Sequence, residues 1–188
     1  MDLASAFLSM SRQFLGTEYP TKLRAAVEAL PAEALWWRAN EQSNSVGNLL
    51  LHLDGNVRQW IVTGVGGASG GGPGDARWQR DRTGEFAARS GPDARELLQR
   101  LQATLDAADE VLARLTPEIL ASRCEIQGRE TTVFDAIYHV VEHFSLHLGQ
   151  IIWAAKMHAP GAVRFYEDAG GLARPLWPEL RRNQPPSR

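Results

Sequence analysis

Three of the five histidines in this 188-residue chain recur at a spacing that suits metal binding. His139, His143 and His147 lie four residues apart, so on an α-helix they share one face about one turn apart. Two imidazoles at positions i and i+4 can direct their nitrogens at one ion roughly 2.0–2.1 Å away. The third ligand must then come from a neighbouring helix, and His52, inside a leucine-rich stretch, is the candidate. The spacing therefore predicts a transition-metal site.

The residues alone leave alternatives open. Only one i, i+4 pair can bind a single ion, so the remaining histidine would be a hydrogen-bonding or pocket residue. A polar seam of neutral imidazoles between packed helices, or an axial haem ligand, would use the same residue type. His139-x-x-Glu142-His143 also spells the inverted zinc-protease motif, with Glu142 as base. We disfavour this motif because it typically occurs in large multi-domain chains and would leave His147 and His52 unused.

Residues near the column are candidates for supporting roles. Asp135 and Gln150 lie one turn beyond its two ends, where either could hydrogen-bond the far nitrogen of a ligating histidine. Ordinary helix capping or solvent exposure is the alternative for both. Asn48 and Trp37 are candidate pocket residues, although a tryptophan at position 37 is also typical of a core or a dimer interface.

Helices must position these side chains, because apolar residues recur three or four positions apart along almost the whole chain. We predict helices over about residues 3–15, 23–30, 43–62, 90–115 and 131–158. The candidate N-caps of the last three are Ser43 or Ser45, Ser90 or Asp93, and Thr131 or Thr132. No alternating strand pattern is recognised. The sequence predicts an all-α four-helix bundle with short extra helices.

Two stretches fall outside this pattern. Residues 64–74 hold seven of the 17 glycines, which predicts a mobile surface loop. Residues 161–188 follow the helix stop at Pro160 and Gly161, and we expect a C-terminal extension that is partly irregular. We therefore expect one helical domain over residues 1–160, followed by this extension.

Composition excludes several classes of protein. The formal net charge is −2 and the pI is near 6.2, which gives no electrostatic footprint for nucleic acid or an anionic membrane. A single cysteine, Cys124, excludes an internal disulfide and a cysteine-only zinc site. The acidic second residue, Asp2, is atypical of a secretory signal, and no apolar run has the roughly 18 residues of a membrane-spanning helix. We expect a cytoplasmic protein that binds neither nucleic acid nor membrane.

Three segments resemble the DinB/YfiT-like superfamily of metal-dependent helical bundles. They are residues 43–56 (SNSVGNLLLHLDGN), residues 139–151 (HVVEHFSLHLGQI) and residues 80–86, whose Arg80-Asp81-Arg82 and following Glu85-Phe86 resemble one uncharacterised branch. The resemblance covers roughly residues 5–158. It implies that a divalent ion, zinc or nickel, is held by His52, His143 and His147, with His139 left as the extra histidine.

The resemblance also implies a class of activity. Characterised members include thiol-dependent transferases and isomerases that use low-molecular-weight thiols, and many members are homodimers. We therefore expect a metal-dependent enzyme acting on a small-molecule substrate, either a thiol S-transferase or a hydrolase. A hydrolase needs a general base, for which Asp54 and Glu142 are the nearby acids on the two helices. The alternative is a non-catalytic, dimeric metal-binding or stress-associated protein.

Overall fold

Long helical rods arranged as a bundle form most of the described protein, residues 2–68 and 78–178 of this computed structural model. The all-α prediction is confirmed. The helices in chain order are α1 (Leu3–Gln13), α2 (Tyr19–Glu28), α3 (Val46–Val57), α4 (Gly66–Ala68), α5 (Arg82–Ala87), α6 (Ala94–Arg114) and α7 (Val133–His158). Short 3₁₀ turns at Ala32–Ala34 and Pro117–Ala121, together with α5, are the predicted extra helices.

Helices α1 and α2 join into one rod through a π-helical turn, Phe14–Glu18. The turn ends just before Pro20, which lies in the first turn of α2. Proline has no N–H to donate and its ring crowds the carbonyl four residues earlier, so a locally widened helix accommodates it. The gap between the helices predicted over residues 3–15 and 23–30 is therefore a change of helical pitch within a continuous rod.

The second rod begins at a capping box. The Ser45 hydroxyl accepts a hydrogen bond from the Asn48 N–H, and the Asn48 side chain accepts one from the Ser45 N–H. Asp93 caps α6 and Thr132 caps α7 in the same way, each accepting a hydrogen bond from the N–H three residues on. One of the two predicted N-caps is thus confirmed for each of these helices.

The second rod runs further than predicted. After α3 it continues as a π-helical segment, Arg58–Val65, and then as α4, so the prediction of a loop from residue 64 is wrong for its first five residues. Val65 is fully buried in the core, which holds this end of the rod in place. A Cβ at Gly64 would clash with the side chain of Ile126, so the glycine here permits close packing. The rest of the predicted loop, residues 69–74, lies outside the described residues.

Two short hairpins were not predicted. Strands β1 (Arg123–Ile126) and β2 (Arg129–Thr132) pair antiparallel through a turn in which Gln127 and Gly128 both have positive φ. Strands β3 (Tyr166–Asp168) and β4 (Ala173–Pro175) pair in the C-terminal extension, which is therefore not wholly irregular. All four strands are short and mostly exposed, so they lack the apolar alternation that identifies a strand.

Helix α3 packs against both α6 and α7. Its Leu50 and Leu53 are buried, and Phe144 of α7 is fully buried in the same core cluster. This packing fixes the relative positions of α3 and α7, which carry the histidines. Within residues 2–68 and 78–178, none of the helices combines the length and apolar character that crossing a bilayer requires.

Candidate functional site

Packing of α3 against α7 brings His52, His143 and His147 together. Each offers one ring nitrogen to a group whose members lie within 4.8 Å of one another, an arrangement that could hold a metal ion. The Nε2 atoms of His52 and His143 are 2.9 Å apart. His52 is buried, with 4% of its surface exposed, while the two α7 histidines are half-buried. The group therefore lies at the edge of the core, partly open to the outside.

The three rings are arranged edge to face. The His143 and His147 rings are 4.4 Å apart at 89°, and the His52 ring lies 5.0 Å from His143 and 5.1 Å from His147. Crossed ring planes let nitrogens from successive turns of one helix converge on a point, which stacked rings would not do. The arrangement is therefore compatible with imidazoles directed at a shared partner.

Glu85 of α5 fixes the orientation of His52 from the other side of its ring. Glu85 Oε2 lies 2.9 Å from His52 Nδ1, opposite the nitrogen that faces His143. Arg80 donates to both carboxylate oxygens of Glu85, at 2.7 and 2.8 Å, and to Gln59 Oε1 at 3.1 Å. Arg80 Nη2 also lies 2.9 Å from His52 Nδ1. In the tautomer that carries its proton on Nδ1 and donates it to Glu85, Nε2 keeps a free lone pair toward the group.

The charge state of Glu85 follows from these contacts. Burial alone would raise the pKa of this carboxyl, but the hydrogen bonds from His52 and Arg80 outweigh it and leave the pKa below its ordinary value. Glu85 is therefore ionised at neutral pH and offers both of its oxygens as acceptors to Arg80.

Spacing analysis missed Arg80 and Glu85 as site residues. Arg80 precedes the separate six-residue helix α5, and Glu85 lies within it. No periodicity in the sequence links either residue to His52. One signal in the sequence was the resemblance of residues 80–86 to a superfamily segment. Gly55 on α3 was a second, unread signal, because a Cβ there would clash with the Glu85 carboxylate and crowd the Arg80 guanidinium.

Asn48, predicted as a pocket or supporting residue, holds α5 in place. Its side chain is fully buried, and its Nδ2 donates to the backbone carbonyls of Glu85 at 2.7 Å and Ala88 at 3.0 Å. Arg38 donates to Asn48 Oδ1 at 2.7 Å and to the carbonyl of Phe86 at 2.7 Å. The capping residue of α3 thus ties the short helix that carries Glu85 to the helix that carries His52.

The other predicted residues, Gln150, His139 and Asp135, have different surroundings in the structure. Gln150 Oε1 lies 2.7 Å from His147 Nδ1, which is the contact predicted for it. His139 stacks on His143 at 5.2 Å and packs against Trp60, but it is not a member of the three-histidine group. Asp135 is exposed and pairs with the α7 cap, Thr132.

Of the two acids considered as a general base, Asp54 is placed away from the histidines. Its buried carboxylate accepts hydrogen bonds from Arg100 at 2.6 Å and Thr104 at 2.5 Å, both on α6. The suggestion that Asp54 acts at the histidine site is therefore wrong, because it faces the opposite packing partner of α3. Glu142 is exposed on α7.

The α7 histidines are neutral at physiological pH. Burial, followed by the neighbouring His147 and His52, lowers the pKa of His143 to about 3. Burial likewise lowers the pKa of His147, although Gln150 opposes it, and burial lowers that of His139. His143 and His147 therefore offer unprotonated nitrogens without the cost of removing protons first.

This arrangement predicts an acid-sensitive apo protein. Between pH 6.5 and 3 the unfolded chain binds a proton at His143 that the folded chain does not, so the free energy of unfolding falls as the pH drops below 6.5. Because the ring is half-exposed and screened by water, we expect a loss of about 1 kcal/mol from this residue between pH 6.5 and 5. Urea unfolding with a chelator present, at both pH values, measures it. Equal pH dependence in wild type and His143→Gln would contradict it.

Comparison with known protein families assigns the chain to one of them. The sequence profile of the family described as "Protein of unknown function (DUF1572)" matches residues 2–164. The chain belongs to this family. No curated protein matches the chain. The DUF1572 match includes all three grouped histidines together with Arg80 and Glu85, but the family description assigns no activity to them.

Proposed function

We propose that this DUF1572 protein is a metal-dependent enzyme whose ion is held by His52, His143 and His147. The observation that carries the proposal is the convergence of three imidazole nitrogens from two helices, within 4.8 Å of one another. Two nitrogens bound to one ion at roughly 2.0–2.1 Å lie roughly 3–4 Å apart, so small side-chain adjustments suffice. Zinc and nickel are the ions we propose, in keeping with the DinB/YfiT resemblance and with ligands of this type.

The surroundings of the histidines support a metal site over a polar seam. Metal-binding histidines characteristically donate their second ring nitrogen to a carboxylate or carbonyl oxygen. His52 has this partner in Glu85 and His147 has it in Gln150. A seam of histidines that bonded only to one another would need neither partner.

Three neutral ligands leave a divalent ion its full charge, which lowers the pKa of a thiol or water bound at an open position. The residues favour a thiol over water as the activated group. A thiol, with a pKa near 8.5, reaches the anionic form with little help, whereas water is usually assisted by a base. Asp54 is engaged by α6, Glu85 by Arg80 and His52, and Glu142 is exposed. We therefore propose transfer of a low-molecular-weight thiol to a small-molecule substrate, with hydrolysis as the second candidate.

A cobalt-substituted protein tests this choice. Cobalt(II) takes the place of zinc and gives visible bands that report its ligands. We expect 2-mercaptoethanol, a small uncharged thiol, to produce a sulfur-to-cobalt charge-transfer band at neutral pH in wild type and none in His147→Ala. A spectrum that responds to pH but not to the thiol would contradict thiol activation and favour the hydrolase.

A further inference from the structure

A cavity of about 560 Å³ lies next to the histidine group, between the first turn of α3 and the C-terminal half of α7. Its volume falls in the range of small-molecule sites. The indoles of Trp37 and Trp153 and the side chains of Leu49 and Leu146 form its apolar walls.

Among the described residues, the cavity lining contains no Asp, Glu, Lys or Arg. Its polar groups come from amides, hydroxyls and one imidazole, among them Gln42, Ser43 and His158. In a chain with 22% charged residues, such a lining indicates a neutral occupant. A carboxylate or phosphate would lose its hydration here and gain no cationic partner.

The walls suit a flat ring. Trp37 is held edge-on against His158, with ring centroids 4.7 Å apart at 74°. Trp153 and Leu146 leave 65% and 55% of their surfaces exposed, so an inserted ring would remove much apolar surface from water.

Gln150 connects the cavity to the histidines. Its side chain lines the cavity and its Oε1 lies 2.7 Å from His147 Nδ1. Leu146, in the wall, is the residue directly before His147. A molecule in the cavity that contacts Gln150 is thus one side chain away from His147.

We propose that this cavity binds the uncharged, ring-bearing part of the substrate, adjacent to Gln150, the hydrogen-bond partner of His147. That the occupant is the substrate rests on the proposed function, whereas recognition of the neutral ring rests on the cavity alone. The substrate class is therefore an uncharged aromatic or similarly flat cyclic molecule.

Ligand-observed NMR with benzyl mercaptan, and with its charged analogue 4-(mercaptomethyl)benzoic acid, tests the proposal on metal-free and zinc-loaded protein. We expect the neutral probe to bind both forms at least about tenfold more tightly than the carboxylate. Trp37→Ala and Trp153→Ala should each weaken it by about fivefold or more. Tyr138→Ala removes another exposed aromatic from α7 and should leave binding unchanged.

Three results would overturn the cavity proposal. The first is equal binding of the two probes, and the second is binding that neither tryptophan variant changes. The third is absence of probe binding with sedimentation showing a dimer that Trp153→Ala dissociates, because a second copy of the chain would then be the occupant. Failure of the proposed function looks different: zinc would not bind, yet the metal-free protein would still prefer the neutral probe through both tryptophans.

Discussion

Replacing His147 or His52 with alanine is expected to weaken zinc binding by at least about 100-fold. Even partners that only hydrogen-bond a metal ligand are typically worth 10- to 100-fold in affinity, so loss of a ligand should cost no less. His147 is the cleaner test of the two because it is half-buried. Loss of His52 would also remove a hydrogen bond from the buried Glu85 carboxylate.

Competition of metal-free protein against a chromophoric chelator measures this affinity. The matched control is His139→Ala, which removes the third histidine of the α7 column but no member of the three-histidine group. We expect that variant to bind zinc within about threefold of wild type. If His139→Ala lost as much affinity as His147→Ala, the pair of α7 ligands assigned here would be wrong.

The Glu85→Gln substitution is expected to lower both the zinc affinity and the free energy of unfolding. The amide is close to the carboxylate in size but lacks its charge, so it should hold the His52 N–H less firmly and leave Arg80 without a counter-ion. We expect zinc affinity to fall by about 10- to 100-fold. The side chains of Arg80 and Glu85 are 5% and 10% exposed. Breaking such a buried pair should lower the free energy of unfolding by about 2–4 kcal/mol.

Glu142→Gln makes the same chemical change on an exposed residue of α7 and should alter neither quantity. Chelator competition and urea unfolding, run on both variants and wild type, separate the two effects. A Glu85→Gln protein that lost stability but kept full zinc affinity would assign Glu85 a structural role alone, and the account of how His52 is oriented would fail.

Local chemistry explains why the main elements of the site could be predicted. The four-residue spacing of the α7 histidines is a property of one helix, and caps such as Asp93 and Thr132 act within one turn. The leucines around His52 predicted a buried helix, and burial of His52 follows from it. The fold class needed no more than this, because each rod carries its own apolar stripe.

Contacts between distant segments could not be predicted in the same way. Glu85 reaches His52 only because Asn48 ties α5 to α3, and a hydrogen bond from a buried amide to a carbonyl 37 residues away leaves no periodic trace. The same holds for the π-helical segment before α4, where Gly64 permits close packing against a hairpin that itself has no strand-like pattern. The glycine-rich composition predicted a flexible loop from residue 64, but tertiary packing holds residues 64–68 in a helical conformation.

Metal content of the purified protein, prepared without a histidine tag, tests the central claim most directly. After zinc or nickel is offered and the excess removed, we expect about one equivalent of metal per wild-type chain. The His143→Ala/His147→Ala double variant should retain less than about a tenth of that. A folded wild-type protein that keeps no metal under these conditions would contradict the account, and the histidines would then be a polar seam between two packed helices.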